Sequence, residues 1–137
     1  MRGQRGDGGG ARAAPRRRQR SAAYRLGLRA EAFASVLLRL KGWRILARRY
    51  RAGSGEIDII ARRGKTVIFV EVKARSTREA ALTAITPHAA RRISAAARQW
   101  QAGREDLHDA TLRFDAILIR PFRLPEHVVN VFEDSAR

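Results

Sequence analysis

The stretch GEIDIIARRGKTVIFVEVKAR, residues 55–75, constrains the fold more than any other part of the chain. Residues 57–61 and 66–73 are rich in β-branched and apolar side chains, and the connection RRGK between them offers Gly64 for the positive φ of a tight turn. The pattern predicts a β-hairpin. Side chains alternate faces along a strand, so Glu56, Asp58 and Ile60 share one face of the first strand. Val67, Phe69, Glu71 and Lys73 share one face of the second. A turn centred on Arg63 and Gly64 pairs Glu56 with Glu71 and Asp58 with Phe69, gathering Glu56, Asp58, Glu71 and Lys73 on one side.

That gathering matters because carboxylates are scarce. Between Gly27 and Trp100 the chain has only Glu31, Glu56, Asp58, Glu71 and Glu79. Asp58 and Glu71, as diagonal neighbours about 5–6 Å apart, would repel by roughly 3 kcal/mol at an effective dielectric of about 20. Lys73 offsets part of that repulsion. A hard divalent cation held by carboxylate oxygens offsets it more completely, and Mg²⁺ or Mn²⁺ suits a site of few oxygens with room for water and phosphate. Such an ion polarises a phosphodiester and acidifies bound water, while an ammonium at Lys73 can position that water or stabilise developing charge. Phosphodiester hydrolysis is the chemistry this arrangement permits. The plainer alternative is an exposed Glu71/Lys73 pair on a solvated face, with Asp58 part of a turn. The apolar flanks IDIIA and VIFVEV argue against it, because idle charges on buried strands are costly.

Around the hairpin the pattern alternates helix and strand. Residues 1–22 are dominated by Gly, Arg and Ala and are expected to form a disordered basic arm. From Ala22 to Lys41, apolar residues recur at three- and four-residue steps and Gly42 supplies a stop, predicting an amphipathic helix. WRILARRY, residues 43–50, reads as a strand, and RAGSG turns the chain. STREAALTA is expected to be a loop. Thr86 and Pro87 are an N-cap and first helical residue for a helix reaching about Ala102. TLRFDAILIR and HVVNVF read as two further strands. The order is α, three strands, α, two strands, in a single α/β domain over residues 23–137.

Composition narrows the partners. The 137-residue chain carries 29 Lys+Arg against 13 Asp+Glu, a net charge of +16, which attracts polyanions, with nucleic acid first and an anionic membrane second. Only Lys41, Lys65 and Lys73 are lysines, so base composition of the genome contributes to the arginine excess. No apolar run approaches the ~20 residues of a membrane helix. The absence of cysteine excludes disulfides and thiolate metal sites and is compatible with a reducing cytoplasm, the expected location. His88, His108 and His127 are too scattered for a ligand cluster and are expected at the surface.

Gly55-Glu56-Ile57-Asp58, Phe69-Val70-Glu71-Val72-Lys73 with Arg75, and Arg113-Phe114-Asp115 resemble the uncharacterised bacterial YraN-like family over about residues 25–133. That family is assigned to the restriction-endonuclease-like superfamily with its PD-(D/E)xK nuclease motif. The resemblance implies an α-β-β-β-α-β core with a mixed central sheet flanked by helices. It also implies Asp58 and Glu71 as metal ligands and Lys73 as the motif lysine. Glu31, preceded by Gly27, resembles the helix glutamate that archaeal Holliday junction resolvases add to the metal site; a solvated helix position is the plainer reading. Glu56 matches a family position as an accessory residue. Two departures stand out. Arg49 occupies a place where asparagine is expected, and Ala89 one where relatives commonly carry lysine, with Arg91 and Arg92 as candidate replacements. Arg113 and Asp115 fit a structural ion pair as well as a functional one.

Arg48, Arg49, Arg75, Arg91 and Arg92, with Arg51, Arg62, Arg63 and Arg78, are candidates for sequence-independent phosphate contacts. Trp43 and Trp100 suit core packing better than base stacking. The reading is a Mg²⁺- or Mn²⁺-dependent endonuclease acting on DNA, ahead of RNA, with branched or single-stranded DNA as substrate candidates and a homodimer compatible. The alternative is a nucleic-acid-binding protein that keeps the nuclease fold without turnover. A ribosome- or RNA-associated role rests on charge alone.

Overall fold

The computed structural model describes residues 9–53 and 55–133, with side chains described from Arg25 onward. Helix α1 spans Gly9–Leu40, followed by β1 (Arg44–Ala52), β2 (Gly55–Arg63) and β3 (Thr66–Ala74). Helices α2 (Arg78–Thr83) and α3 (Pro87–Ala102) and a short 3-10 turn then lead to β4 (Thr111–Ile119) and β5 (Glu126–Val128). The expected α/β order is present. Three details differ from the sequence reading. STREAALTA is not a loop throughout, because Thr77 caps α2 by accepting the Ala80 N–H at 3.1 Å. The last strand is shorter than HVVNVF suggests. The arm expected over 1–22 lies partly outside the described residues, and from Gly9 the backbone is already helical. Ala and Arg, which fill that stretch, are strong helix formers.

The five strands lie in the order β1-β2-β3-β4-β5. The first three are antiparallel, β3 and β4 are parallel, and β5 returns antiparallel to β4. A parallel neighbour requires a crossover, and α2 and α3 supply it. Alternation along β3 divides the core between two layers. Val67 and Phe69 pack with Ile93, Ala97 and Trp100 of α3, whereas Ile68 and Val70 pack with Ala34 and Leu38 of α1. The sheet is therefore covered on both faces. Among the described residues no helix is long and apolar enough to cross a membrane.

Both covering helices have defined ends. At the end of α1, Gly42 takes φ 90; its N–H donates to the Arg39 carbonyl at 3.0 Å and the Trp43 N–H to the Leu38 carbonyl at 2.9 Å. This pair of bonds is a Schellman closure, and Trp43 and Leu38 belong to the same buried apolar cluster. At the start of α3, the Thr86 side chain accepts the Ala89 N–H at 3.1 Å and Pro87 follows at the first helical position.

A buried polar cluster fastens the far side of the sheet. Asp115 is fully buried, accepting from Arg113 Nε at 2.9 Å and from the Asn130 N–H at 2.9 Å. His127 Nε2 lies 2.7 Å from Asp115 Oδ2, and Lys41 Nζ lies 2.9 Å from His127 Nδ1. An ammonium can only donate, so Nδ1 accepts and Nε2 carries the proton toward Asp115. His127 is thus not the surface residue expected from sequence: its side chain is 5% exposed and joins α1, β4 and β5. His88 and His108 are exposed. Burial pushes the Asp115 carboxyl up, but the bonds from His127, Arg113 and Asn130 and the Arg113 charge outweigh it and hold it at about 2.

The start of β2 is pressed against α3. A Cβ on Gly55 would lie 2.3 Å from the Arg92 carbonyl oxygen and 3.1 Å from the Ala96 Cβ, so only glycine permits this approach. Gly55→Ala is expected to destabilise the chain by about 1–3 kcal/mol, the usual cost of overpacking, read as a lower chemical-denaturation midpoint.

Candidate metal and nucleic-acid site

The hairpin register determines what the acidic residues can do. Arg63 pairs with Thr66 and Ile59 with Val70, so the turn is centred on Gly64 and Lys65, with Gly64 at φ 61. The pairing of Glu56 with Glu71 and of Asp58 with Phe69 expected from sequence is therefore incorrect: the register is displaced by two residues, and Phe69 pairs with Ile60. An even displacement keeps each side chain on its face, so the acids still converge. It brings Asp58 level with Glu71 instead of diagonal to it.

Pairing between β2 and β3 ends at Ile59 and Val70. Just beyond, the Val72 N–H donates to Asp58 Oδ2 at 2.8 Å, so a side-chain oxygen takes the place of a strand carbonyl. The alternation is interrupted at this point. Ile57 packs in the α3 layer and Ile59 in the α1 layer, although strict alternation would put them together. Asp58 consequently sits where the two strands part. On β3, Glu71 Oε1 lies 2.8 Å from Lys73 Nζ, and both side chains are largely shielded.

Asp58, Glu71 and Lys73 line two cavities. One, of about 290 Å³, is also bordered by Gly27, Ala30 and Glu31 of α1 and by Arg75. The other, of about 210 Å³, is bordered by Glu56 and by Ala89 and Arg92 of α3. Glu31 reaches the site from a buried position on α1 and accepts from Arg49 Nε at 2.7 Å. It is therefore not the solvated helix residue of the plainer reading. Glu56 is more exposed and pairs loosely with Arg51 at 3.5 Å. Ala89 stands on the wall of the smaller cavity, where a longer basic side chain would project, and Arg92 borders the same space. Arg75 is exposed at the mouth of the larger cavity. Arg48 and Arg91 are exposed but border neither cavity. Arg62 and Arg63 lie at the opposite end of the hairpin, and Arg78 is paired with Glu126 at 3.0 Å.

The electrostatics follow from this crowding. Burial raises the Asp58 carboxyl first, repulsion from Glu71 adds to it and Glu31 adds further; the Val72 N–H and Lys73 pull the other way, and the balance lies at about 7. Among the described residues no three His, Cys, Asp or Glu side chains form a preassembled metal cage. The donor set nevertheless fits a hard cation: it is all carboxylate, and Asp58 is held against like charges that an added positive charge would relieve. Asp58 and Glu71, with Glu31 from α1, are the residues that would hold it.

A pH dependence of stability follows. With its folded value near 7 against an ordinary value of 3.8, Asp58 keeps a proton in the folded chain that the unfolded chain has released. Its contribution to stability is therefore present at low pH and lost as pH rises from about 4 to about 7. Asp58→Asn, which imitates the protonated acid, is expected to flatten the decline of melting temperature across that window. An unchanged decline in the variant would show that Asp58 is not the group responsible.

The chain matches the model of the uncharacterised protein family UPF0102 over residues 30–119. It is 51% identical over 115 residues to a UPF0102 protein of Methylorubrum extorquens, covering 84% of this chain and 90% of that protein. It is 49% identical over 117 residues to one of Bradyrhizobium diazoefficiens, covering 85% and 88%. A protein of Bartonella bacilliformis is 50% identical over 115 residues, covering 84% and 93%. The matched segment runs from α1 to the end of β4 and holds Glu31, Asp58, Glu71 and Lys73, and on these similarities the chain belongs to the UPF0102, or YraN-like, family.

Proposed function

We propose that this chain is a metal-dependent nuclease that hydrolyses phosphodiester bonds of DNA, built on a restriction-endonuclease-like core with the PD-(D/E)xK motif. One observation carries the reading: Asp58, Glu71 and Lys73 border the same cavities, with Asp58 forced to about 7 by burial and by neighbouring acids. Buried like-charged acids that shift one another's protonation beside a cation, in a cleft, are a signature of functional sites. The element order, with an antiparallel hairpin bearing the acids and a parallel strand reached through α3, agrees with the α-β-β-β-α-β core that the motif implies.

In this reading Asp58 and Glu71, assisted by Glu31, hold Mg²⁺ or Mn²⁺, which supplies Lewis acidity toward a phosphate oxygen and a more acidic water. The remaining work falls to the chain. Lys73, kept in place by Glu71 at 2.8 Å, presents an ammonium to the cavity, where it orients a nucleophilic water or stabilises charge on the phosphate. Arg75 at one mouth and Arg92 at the other offer guanidinium contacts to flanking phosphates. These contacts recognise backbone and shape, in keeping with binding that does not read base sequence. A cysteine-free, arginine-rich chain of this kind fits a cytoplasmic DNA-processing role.

A second reading draws on the ion pairs. Glu31 is held by Arg49 and Glu71 by Lys73, so two of the three acids already have counter-charges. That pattern supports a nucleic-acid-binding protein that keeps the nuclease architecture without turnover. Incubating the purified protein with duplex, single-stranded and branched DNA and with RNA, across Mg²⁺ and Mn²⁺, separates the two. The nuclease reading expects cleavage of DNA that falls by about a hundredfold or more in Asp58→Asn, Glu71→Gln and Lys73→Ala, with unchanged circular dichroism. Salt-sensitive binding without cleavage would select the binding protein instead, and cleavage equal in parent and variants would refute the site.

A further inference from the structure

Arg49 holds a position in β1 that ordinary strand geometry does not explain. Arg48 pairs with Ile59 and Tyr50 with Ile57, which sets Arg49 across from Asp58. Its φ is 55, in the left-handed region that residues other than glycine seldom occupy. From there its Nε donates to Glu31 Oε2 at 2.7 Å, and the Glu31 side chain is 9% exposed against 29% for Arg49. A bond of that length between opposite charges belongs to the strong class. It also bridges layers, joining β1 to the one α1 carboxylate that borders the larger cavity.

Glu31 differs in this respect from Glu71. The counter-charge of Glu71 comes from Lys73 on its own strand, and that lysine itself borders the cavity. The counter-charge of Glu31 comes from a separate strand and from a guanidinium outside the cavity wall. A guanidinium and a divalent ion on the same carboxylate repel each other at short range, in surroundings where screening is weak.

We propose that Arg49 is an intramolecular counter-ion that competes with a divalent cation for Glu31, so that the third carboxylate joins the metal site only when the guanidinium withdraws. This rests on the metal-site reading above and adds to it a regulating residue outside the motif. Arg49 neither touches substrate nor takes part in the chemistry; it sets how readily the cation is held. In its resident state the site offers Asp58 and Glu71 alone, and cation affinity is correspondingly weak.

The test is isothermal titration of Mn²⁺ into the full chain at pH 8 for the parent and for Arg49→Gln, Arg49→Gly and Asp58→Asn. Removing one charge-assisted bond to Glu31 is expected to tighten Mn²⁺ binding by about tenfold in Arg49→Gln. Arg49→Gly accepts the positive φ without strain and is expected to show the same gain, which covers the case in which the glutamine variant does not fold. Adding Glu31→Gln to either variant is expected to cancel the gain, and Asp58→Asn to abolish binding. Equal affinity in the parent and both Arg49 variants, with Asp58→Asn still abolishing binding, would overturn the counter-ion role while leaving the metal site standing. A gain that survives Glu31→Gln would also overturn it. Absence of Mn²⁺ binding in the parent and both Arg49 variants would overturn the metal site and the counter-ion role together.

Discussion

The hydrogen bond from the Val72 amide to Asp58 Oδ2 is the constraint on which the site depends. A buried strand must find partners for its amides, and here one is satisfied by a side chain where the β2–β3 ladder ends. The substitution fixes the carboxylate at the parting of two strands, faces it toward Glu71 and opens the space into which Glu31 and Lys73 reach. Without that bond Asp58 would be one more alternating side chain. With it, burial and like charge act on the same group, and its raised protonation range follows from position alone.

The surrounding fold serves to keep that parting in place. α1 presses an apolar stripe, Ala30, Ala34 and Leu38, against the sheet and carries Glu31 beside it. α3 approaches from the other face so closely that its backbone at Arg92 touches the start of β2. At the end of α1, Lys41 joins His127 and Asp115 while Arg63 stacks over Trp43 at 4.4 Å. The helix that carries Glu31 is therefore anchored at its C-terminal end by a polar chain that starts from Asp115, the β4 partner of Val70.

How much of this is legible in sequence differs by feature. The helix 87–102, the hairpin and the strand after the helix follow from periodicity, Thr86-Pro87 and Gly64, because these are local signals, whereas the parallel pairing of that strand is not local. The convergence of Asp58 and Glu71 survives a register error because period two conserves faces under an even shift. α2 is missed since REAALT is too short to display a period, and its cap is a single threonine. The Asp115–His127–Lys41 chain is unreadable for a different reason. Its members lie up to 86 positions apart, and nothing near His127 announces a buried partner. The Arg49–Glu31 pair is likewise non-local, and its left-handed backbone gives no sign in an arginine-rich stretch. The superfamily is a proposal that rests on the motif, whereas the α/β architecture and family membership stand on the structure and the relatives.

The two cavities that share Asp58, Glu71 and Lys73 have a further consequence. A pit closed at its base exchanges its contents through one opening, and anything seated there plugs it. Here the same three side chains are reached from the α1 layer and from the α3 layer, so a body seated in one opening leaves the other facing solvent. Under the proposed function, exchange of water and ions at these side chains would not have to wait for a bound polymer to leave.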